Sequence, residues 1–395
     1  MRPFGHHAAM VMPAREGRRV LVIAQALALA SSVAAVACEP LATTWDSDRE
    51  SVPVHRRAQL APPADPAPAA LKVMAWNIKY GAGRIDFWFD MWGDRVQMTA
   101  DEVERNMAGI YALINEVKPD VLMTEEIEVN SRRSAYFNMV LGILEHTHLN
   151  YAAYMPTWKS RYIPSEGVGR MDLGNAIFSV YPITSAERIR QADRTDQDPL
   201  TSYFYIHRAV GRAVIQAGPR DVAVMVVHTE AYDTDRTKAK QTDQIFQLMT
   251  DEPLPFVVGG DFNAIPPGSV KVSSFNDEHP DSLGTEFEQP PYDLGDMVPF
   301  FEAFLPHVDL GHYGTTLEQQ KRYFTHSVIG HDRIGSQGQP GFWNRQLDYL
   351  FVRAPDRWRA GTTDTLQRPG DSGIISDPMT LSDHCPVVGT WELRP

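Results

Sequence analysis

The stretch Phe256-Val-Val-Gly-Gly-Asp-Phe-Asn-Ala264 ends a short apolar run in two glycines and then presents Asp261 and Asn263. The run reads as a buried strand, and Gly259-Gly260 lets the backbone turn at its end. Alternate residues of extended chain face the same way, so the carboxylate and the carboxamide point into one space. Together they suit a water molecule and one oxygen of an anionic substrate. Asp and Asn are also common turn residues, and a simple strand-end turn is the plain alternative.

Other apolar runs end in the same manner. Asn77 closes the strand expected over 71–77, Glu125-Glu126 close the run that starts at Val121, and His228 closes the run over 224–227. Ser382-Asp383-His384 stand just before the last expected strand, and Asp348 sits inside the apolar stretch 347–352. Taken one at a time, each has a structural reading: a capped turn, a solvated loop, a satisfied strand-end histidine. Asp348 resists it, because a carboxylate in an apolar strand needs a partner or costs several kcal/mol. His384 is an available partner. As a set, hard oxygen ligands such as Glu126 and Asp383 suit Mg2+ or Mn2+, and no HExxH or CxxC spacing points to zinc. A histidine supported by a carboxylate acts at phosphate or as a general base, and Asn and His donors stabilise charge on phosphoryl oxygens.

These groups must be carried by strands and helices in one layered core. Strands are expected over 71–77, 121–124, 175–179, 209–216, 222–227, 256–259, 347–352 and 386–392. Thr99-Ala-Asp-Glu102 forms a capping box before apolar residues at helical spacing (Val103, Met107, Ile110, Ile114, Val117), and Lys118-Pro119 stops that helix. Further helices are expected over 237–249 and 138–147. Many strands follow one another without a helix, which predicts mixed sheets covered by helices around one core. Residues 264–346 are rich in Pro, Gly, Asp and His with little periodicity, the mark of a functional or disordered loop.

The N-terminus reads as an export signal. Arg15, Arg18 and Arg19 precede an apolar run from Val20 to Ala37, and small residues stand before Cys38. Residues 1–37 are therefore expected to be a lipoprotein-like signal peptide with Cys38 the lipidated residue; ordinary secretion and a retained single-span anchor are the alternatives. Arg18-Arg19 weakly resembles a twin-arginine signal. Residues 38–70, rich in Pro and Ala, read as a tether, and 71–395 as the folded domain. The net charge is −13, and residues 1–37 contribute four Arg and one Glu, so their removal leaves −16. That argues against a broad basic surface for duplex nucleic acid but not against a local basic cleft. The only cysteines are Cys38 and Cys385, so lipidation of Cys38 would leave no intramolecular disulfide.

The quoted segments, in order, resemble the endonuclease/exonuclease/phosphatase superfamily: Trp76-Asn-Ile78, Pro119-Asp-Val-Leu-Met-Thr-Glu-Glu-Ile127, Gly174-Asn-Ala-Ile-Phe-Ser179, Val227-His228, Gly260-Asp-Phe-Asn263, Leu347-Asp-Tyr-Leu350 and Ser382-Asp-His384. The resemblance implies a four-layer α/β sandwich, with two mixed β-sheets face to face, helices outside and the site at one rim. It implies Glu126 as main metal ligand with Asn77 beside it and Asp383 near the ion. Asp261 would orient or deprotonate the attacking water, Asn263 would fix water and phosphate, and His384, held by Asp348, would contact phosphate or act as base. His228 would serve the leaving-group side. The family often reads Thr-His-Leu where this chain has Val227-His228-Thr229, though Arg236 and Gln241 downstream also fit. The family's common Gln before the metal Glu is Glu125 here, an added negative charge near the ion.

The implied activity is hydrolysis of phosphodiesters, nuclease-like or phospholipid-directed, by an exported monomer in the periplasm, at the cell surface or secreted. A phosphomonoesterase of the same fold and an inactive surface lipoprotein are the other readings. Nucleic acid, nucleotide and phospholipid substrates are not separated by these motifs. The aromatic stretch 87–92 could touch lipid, stack on a base, or simply pack, and Arg208 and Arg212 could meet phosphate or sit solvated at an edge.

Overall fold

The long helix begins where its capping box places it. In the computed structural model, which describes residues 41–63, 65–164, 167–232, 234–285 and 287–393, α1 (Ala100–Val117) has Thr99 as N-cap, and both halves of the reciprocal Thr99–Glu102 cap are present. Lys118 ends it in a left-handed turn. Its buried face (Val103, Met107, Ile110, Leu113, Ile114, Val117) packs on one sheet beside α2 (Met139–His146), capped by Asn138.

That sheet contains, in spatial order, β13 (Arg357–Trp358), β15 (Val387–Glu392), β3 (Ala70–Asn77), β4 (Val121–Glu128), β6 (Gly169–Ser179), β5 (Tyr151–Ile163) and β2 (Val54–Arg56), with β14 (Asp364–Thr365) on β15. The second sheet runs β1 (Arg49–Ser51), β7 (Ile183–Arg190), β8 (Ala209–Ala217), β9 (Arg220–His228), β10 (Phe256–Asp261), β12 (Asp348–Val352) and β11 (Leu305–Pro306). Each is mixed: β3–β4 and β9–β10 are parallel, their neighbours antiparallel. The sheets meet face to face through small and apolar side chains. A Cβ on Gly259 would touch Leu350, Met123 and Ala75, so glycine there lets the two sheets close up. α4 (Thr237–Asp251) covers the outer face of the second sheet with Ile245 and Met249 against Phe256, Val258 and Phe351. The four layers expected from the sequence are these.

The stretch 38–70 is not a free tether over its described part. β1 and β2 add to the edges of the two sheets, against β7 and β5, and Ala61 exchanges hydrogen bonds with the Asn150 side chain. Trp45 is buried beneath the Arg188 guanidinium, 4.2 Å from the ring centre. Short charged strands of this kind exist because an open sheet edge offers unpaired backbone groups, which explains why composition alone reads as linker. The expected signal peptide and Cys38 lie outside the described residues. Among the described residues no helix is long and apolar enough to cross a membrane, and Cys385 is buried and unpaired.

Residues 264–346 are ordered by small apolar clusters rather than by long elements. Ile265, Phe275, Tyr292 and Leu347 pack together, and Phe324 packs with Trp343, Met379 and Cys385.

Candidate functional site

The strand pairings bring the polar strand ends to one rim. In the second sheet Asp261 stands opposite His228 on β9 and opposite Asp348 on β12. In the first, Asn77 is in register with Glu125 on β4. The Ser382 hydroxyl donates to the Asn77 carbonyl (2.8 Å) and Trp76 Nε1 donates to the His384 carbonyl (2.9 Å), which fixes the turn before β15 against the end of β3. All eight residues expected at the site, Asn77, Glu126, His228, Asp261, Asn263, Asp348, Asp383 and His384, are therefore drawn to the same end of the sandwich.

Three of them form a buried chain. His384 Nδ1 donates to Asp348 Oδ2 at 2.8 Å, and its Nε2 faces Asp261 Oδ2 at 3.7 Å. Burial opposes a charge on His384, but the Asp348 and Asp261 carboxylates outweigh it and raise the imidazole to about 10. Burial, with the charges of Asp348 and Glu126, raises Asp261 to about 7, against the pull of His384. These three residues have ligand atoms close enough to hold an ion, but the His384–Asp348 hydrogen bond already occupies the inner nitrogen. On the other side of Asp261, His228 Nε2 lies 3.5 Å from its Oδ2 and 3.8 Å from Glu126 Oε1. Burial, then the charges of Arg208 and His384, hold His228 well below the ordinary histidine value, so it is neutral.

Glu126 reaches the rim through a bulge. The β4–β6 register shifts between Thr124 and Ile127, and Glu126 takes a left-handed φ of 54°. Such a conformation costs about 1–2 kcal/mol for a non-glycine residue. It turns two consecutive glutamates apart. Glu126 faces the cleft; Glu125 goes into the sandwich, fully buried with neither carboxyl oxygen hydrogen-bonded. Burial, then Asp348 and Asp261, push Glu125 well above the carboxylate range. Its surroundings therefore oppose the negative charge expected from Glu125.

Asn77 stands beside Glu126, as expected. Its Oδ1 accepts the Lys79 backbone N–H (3.0 Å), while its Nδ2 faces Glu126 Oε1 at 3.2 Å and Asp261 Oδ2 at 3.4 Å. In this arrangement its amide bridges the two carboxylates. Asp261 and Asn263 share the cleft, but not by strand alternation. The Asn263 N–H donates to Asp261 Oδ1 (2.8 Å), Asn263 has a φ of 46°, and its Nδ2 is held on the Thr229 carbonyl (3.0 Å). The turn and the site are one feature, an Asx turn that aims both side chains.

Lys79 was not singled out by its sequence context. Fully buried, it bonds Asp90 Oδ2 (2.8 Å) and stands 3.5 Å from Asp383 Oδ2. Burial opposes the Asp383 charge, and Lys79, His384 and Arg84 more than offset it, so its carboxyl falls below the usual range. Glu126 is raised by burial and by Asp383. Gln241 ties down the loop after His228 by accepting the Glu230 N–H at 2.7 Å and donating to the Ala192 carbonyl at 2.7 Å. Arg212 is spent on Glu252 (2.7 Å), whereas Arg208 is buried beside the cleft. From the long segment, His326 packs on His384 with ring centres 4.5 Å apart, and Arg345 bonds Asp277 (2.8 Å).

The chain's residues 74–384 match the sequence model of the endonuclease/exonuclease/phosphatase family. The chain belongs to that family. The endonuclease/exonuclease/phosphatase fold, that of phosphoester hydrolases, is also seen in solved structures of low identity. An endonuclease/exonuclease/phosphatase from Beutenbergia cavernae is 16% identical, with a TM-score of 0.50, over 82% of this chain and 72% of that one. A family protein from Leptotrichia buccalis is 12% identical (TM-score 0.49; 82% and 100% covered), and a mannosyl-6-phosphatase from Bacteroides thetaiotaomicron is 11% identical (TM-score 0.44; 82% and 100%). No curated protein matches in sequence. The donors at this endonuclease/exonuclease/phosphatase site fit a divalent cation: Glu126, Asp261 and Asp383 crowd one rim, and Asp383 and Asp261 charges act on their neighbours there.

Proposed function

We propose that this protein is an exported Mg2+- or Mn2+-dependent phosphodiesterase that hydrolyses its substrate by in-line attack of water on phosphorus. The observation that carries the reading is the relay Asp348–His384–Asp261, with neutral His228 on its far side. Glu126 and Asp383 would hold the cation, which neutralises charge on the phosphoryl oxygens.

Asp261, near 7, is suited to take the water's proton. The water oxygen bonds to phosphorus, the bond from phosphorus to the leaving oxygen breaks, and that oxygen takes a proton from solvent while His228 donates a hydrogen bond to it. His384, charged up to about 10, donates to a phosphoryl oxygen; an imidazolium has no lone pair to act as base. Of the two roles implied for His384, phosphate contact is the one its charge supports. Asn77 keeps Glu126 and Asp261 aligned.

A panel of phosphodiesters and phosphomonoesters with Mg2+, Mn2+ and EDTA tests this. Turnover of diesters that EDTA abolishes is expected. Turnover of monoesters alone would replace the reading with a phosphatase, and no turnover with any metal would leave an inactive surface protein. Export and lipidation of Cys38 are part of the same proposal, and the mass of the mature N-terminus from cells tests them.

A further inference from the structure

The catalytic rim opens into a cavity of about 600 Å³, the size of a pocket for a drug-like ligand. Its lining combines two chemistries. One set is the catalytic rim: Glu126, His228, Asp261, Asn263, Asp383 and His384. The other is apolar: Trp158, Met171, Leu173, Phe204, Ile206 and Trp88. These come from the extended β5–β6 hairpin, the short helix α3 (Pro199–Phe204) and its exit, and the turn Trp88–Asp90. In the aromatic stretch after β3 the roles divide by residue: Phe87 is buried in the core, while Trp88 and Phe89 line the cavity.

Three arginines line the chamber: Arg345 and Arg133 each bond a carboxylate, while Arg208 has none within hydrogen-bond distance. Arg133 bonds Glu128 at 2.7 Å and lies over the Tyr80 ring at 3.6 Å. Arg208 is buried, its Nε makes no hydrogen bond, and its nearest carboxylate, Glu230, is 3.8 Å away. A buried guanidinium with an unmade hydrogen bond beside a phosphoester site is built to meet an anion. A polynucleotide would be followed by a track of basic side chains with stacking aromatics. Here the lining adds instead the apolar side chains of the β5–β6 hairpin and α3, and the chain is acidic.

Resting on the phosphodiesterase reading above, we propose that the substrate is an amphiphile: a phosphodiester carrying an extended apolar group that lies in this chamber, its phosphate between Arg208 and the catalytic rim. The apolar group supplies binding and the rim supplies chemistry. Each methylene taken into the chamber tightens binding by about threefold to fourfold until the chamber is full.

Two experiments separate this from the catalytic proposal. Binding of ethyl, hexyl and decyl phosphate, below micellar concentrations, is read from tryptophan fluorescence, without turnover. Decyl phosphate is expected to bind at least about 100-fold more tightly than ethyl phosphate. Leu200→Arg, at an exposed position on the chamber's mouth, and Leu173→Arg, deeper in, should erase the difference; Leu200→Arg keeps the test valid if Leu173→Arg fails to fold. Equal affinities for ethyl and decyl phosphate would overturn the proposal. The second experiment measures kcat/KM on alkyl 4-nitrophenyl phosphodiesters of rising chain length with Mg2+, with the long chain also offered in vesicles. A rise with length supports the chamber, in vesicles pointing to a membrane source and free in solution to a soluble one. Hydrolysis at one rate for all lengths removes the chamber and leaves the phosphodiesterase, while chain-dependent binding without hydrolysis removes the phosphodiesterase and leaves the chamber.

Discussion

His384 Nδ1 and Asp348 Oδ2 are 2.8 Å apart, and both side chains are buried at the end of the sandwich. The carboxylate that an apolar strand should not tolerate is there because a histidine across the sheet gap needs its charge. Opposite charge in a buried place keeps the imidazole protonated and its ring fixed, and a ring so fixed presents Nε2 to the cleft.

Asp348→Asn keeps the shape and removes the charge. The His384 imidazole should then fall from about 10, because burial would be opposed only by Asp261 and Asp383. Turnover should drop by about 10²–10⁴-fold, the scale seen when a buried carboxylate that orients a catalytic histidine is neutralised. NMR titration of His384 beside kcat checks both parts. An unmoved titration would disconnect the pair from catalysis.

Gly260→Ala should be badly tolerated. Gly260 has a φ of 133°, and a Cβ there would come within 2.2 Å of the Val227 carbonyl and 2.6 Å of Glu125 Oε1. The strained backbone alone costs about 1–3 kcal/mol, and the clash lies against backbone that has little room to move. The expected outcome is a lower melting temperature together with displaced Asp261 and reduced turnover. Wild-type melting and activity would show that the β9 backbone and Glu125 can shift to make room.

Glu125→Gln should be nearly silent. Burial and two neighbouring carboxylates disfavour a charge on Glu125, so an isosteric amide keeps both the favoured neutral state and the volume. Stability should move by less than about 1.5 kcal/mol, and the metal concentration for half-maximal activity should not change. A tenfold change in metal requirement would mean that Glu125 carries its charge after all.

The fold was readable wherever one strand buries both faces. Runs such as Val224–Val227 and Val257–Val258 announce themselves, and the Thr99 cap fixes α1 to the residue. β5 is harder, since Pro156 interrupts it and its exposed residues do not alternate cleanly; it is held by pairing with β6. β1 and β2 carry no local signal at all, because their strand state comes from the edges they join. In the site, residue type and strand-end position located the members. Orientation did not follow from them: the bulge that separates Glu125 from Glu126, the amide direction of Asn77, and the difference between a spent Arg212 and an unsatisfied Arg208 all depend on contacts between residues distant in the chain.

Divalent cation should stabilise the folded protein without any substrate. Asp383 raises Glu126, and Glu126 adds to the rise of Asp261, so an ion at this rim relieves repulsion present in the apo state. At a concentration 100 times its dissociation constant an ion bound only to the folded chain adds about 2.7 kcal/mol. Differential scanning fluorimetry with Mg2+ and Mn2+ should show a rise in melting temperature that EDTA reverses and that Glu126→Gln loses. Absence of any shift with either metal would place the ion elsewhere.

His307 gives the protein a weak point in acid that is unrelated to the site. Its ring Nδ1 accepts the Leu350 N–H (3.2 Å) and its backbone N–H donates to the Leu350 carbonyl (2.8 Å), a clamp that holds the chain after β11 on β12. Accepting at Nδ1 requires the neutral ring, Nε2 is buried without a partner, and burial lowers the imidazole from 6.5 to about 3. Between those values the unfolded chain binds the proton and the folded one does not. Stability is therefore complete above about pH 6.5 and declines as the pH falls toward 3. At about 1.4 kcal/mol per unit, such a displacement is worth a few kcal/mol. His307→Gln keeps an acceptor and has no proton to gain. Urea unfolding at pH 7 and pH 4 should show a smaller loss of stability in acid for that variant than for the parent, and equal losses would place the acid sensitivity in other groups.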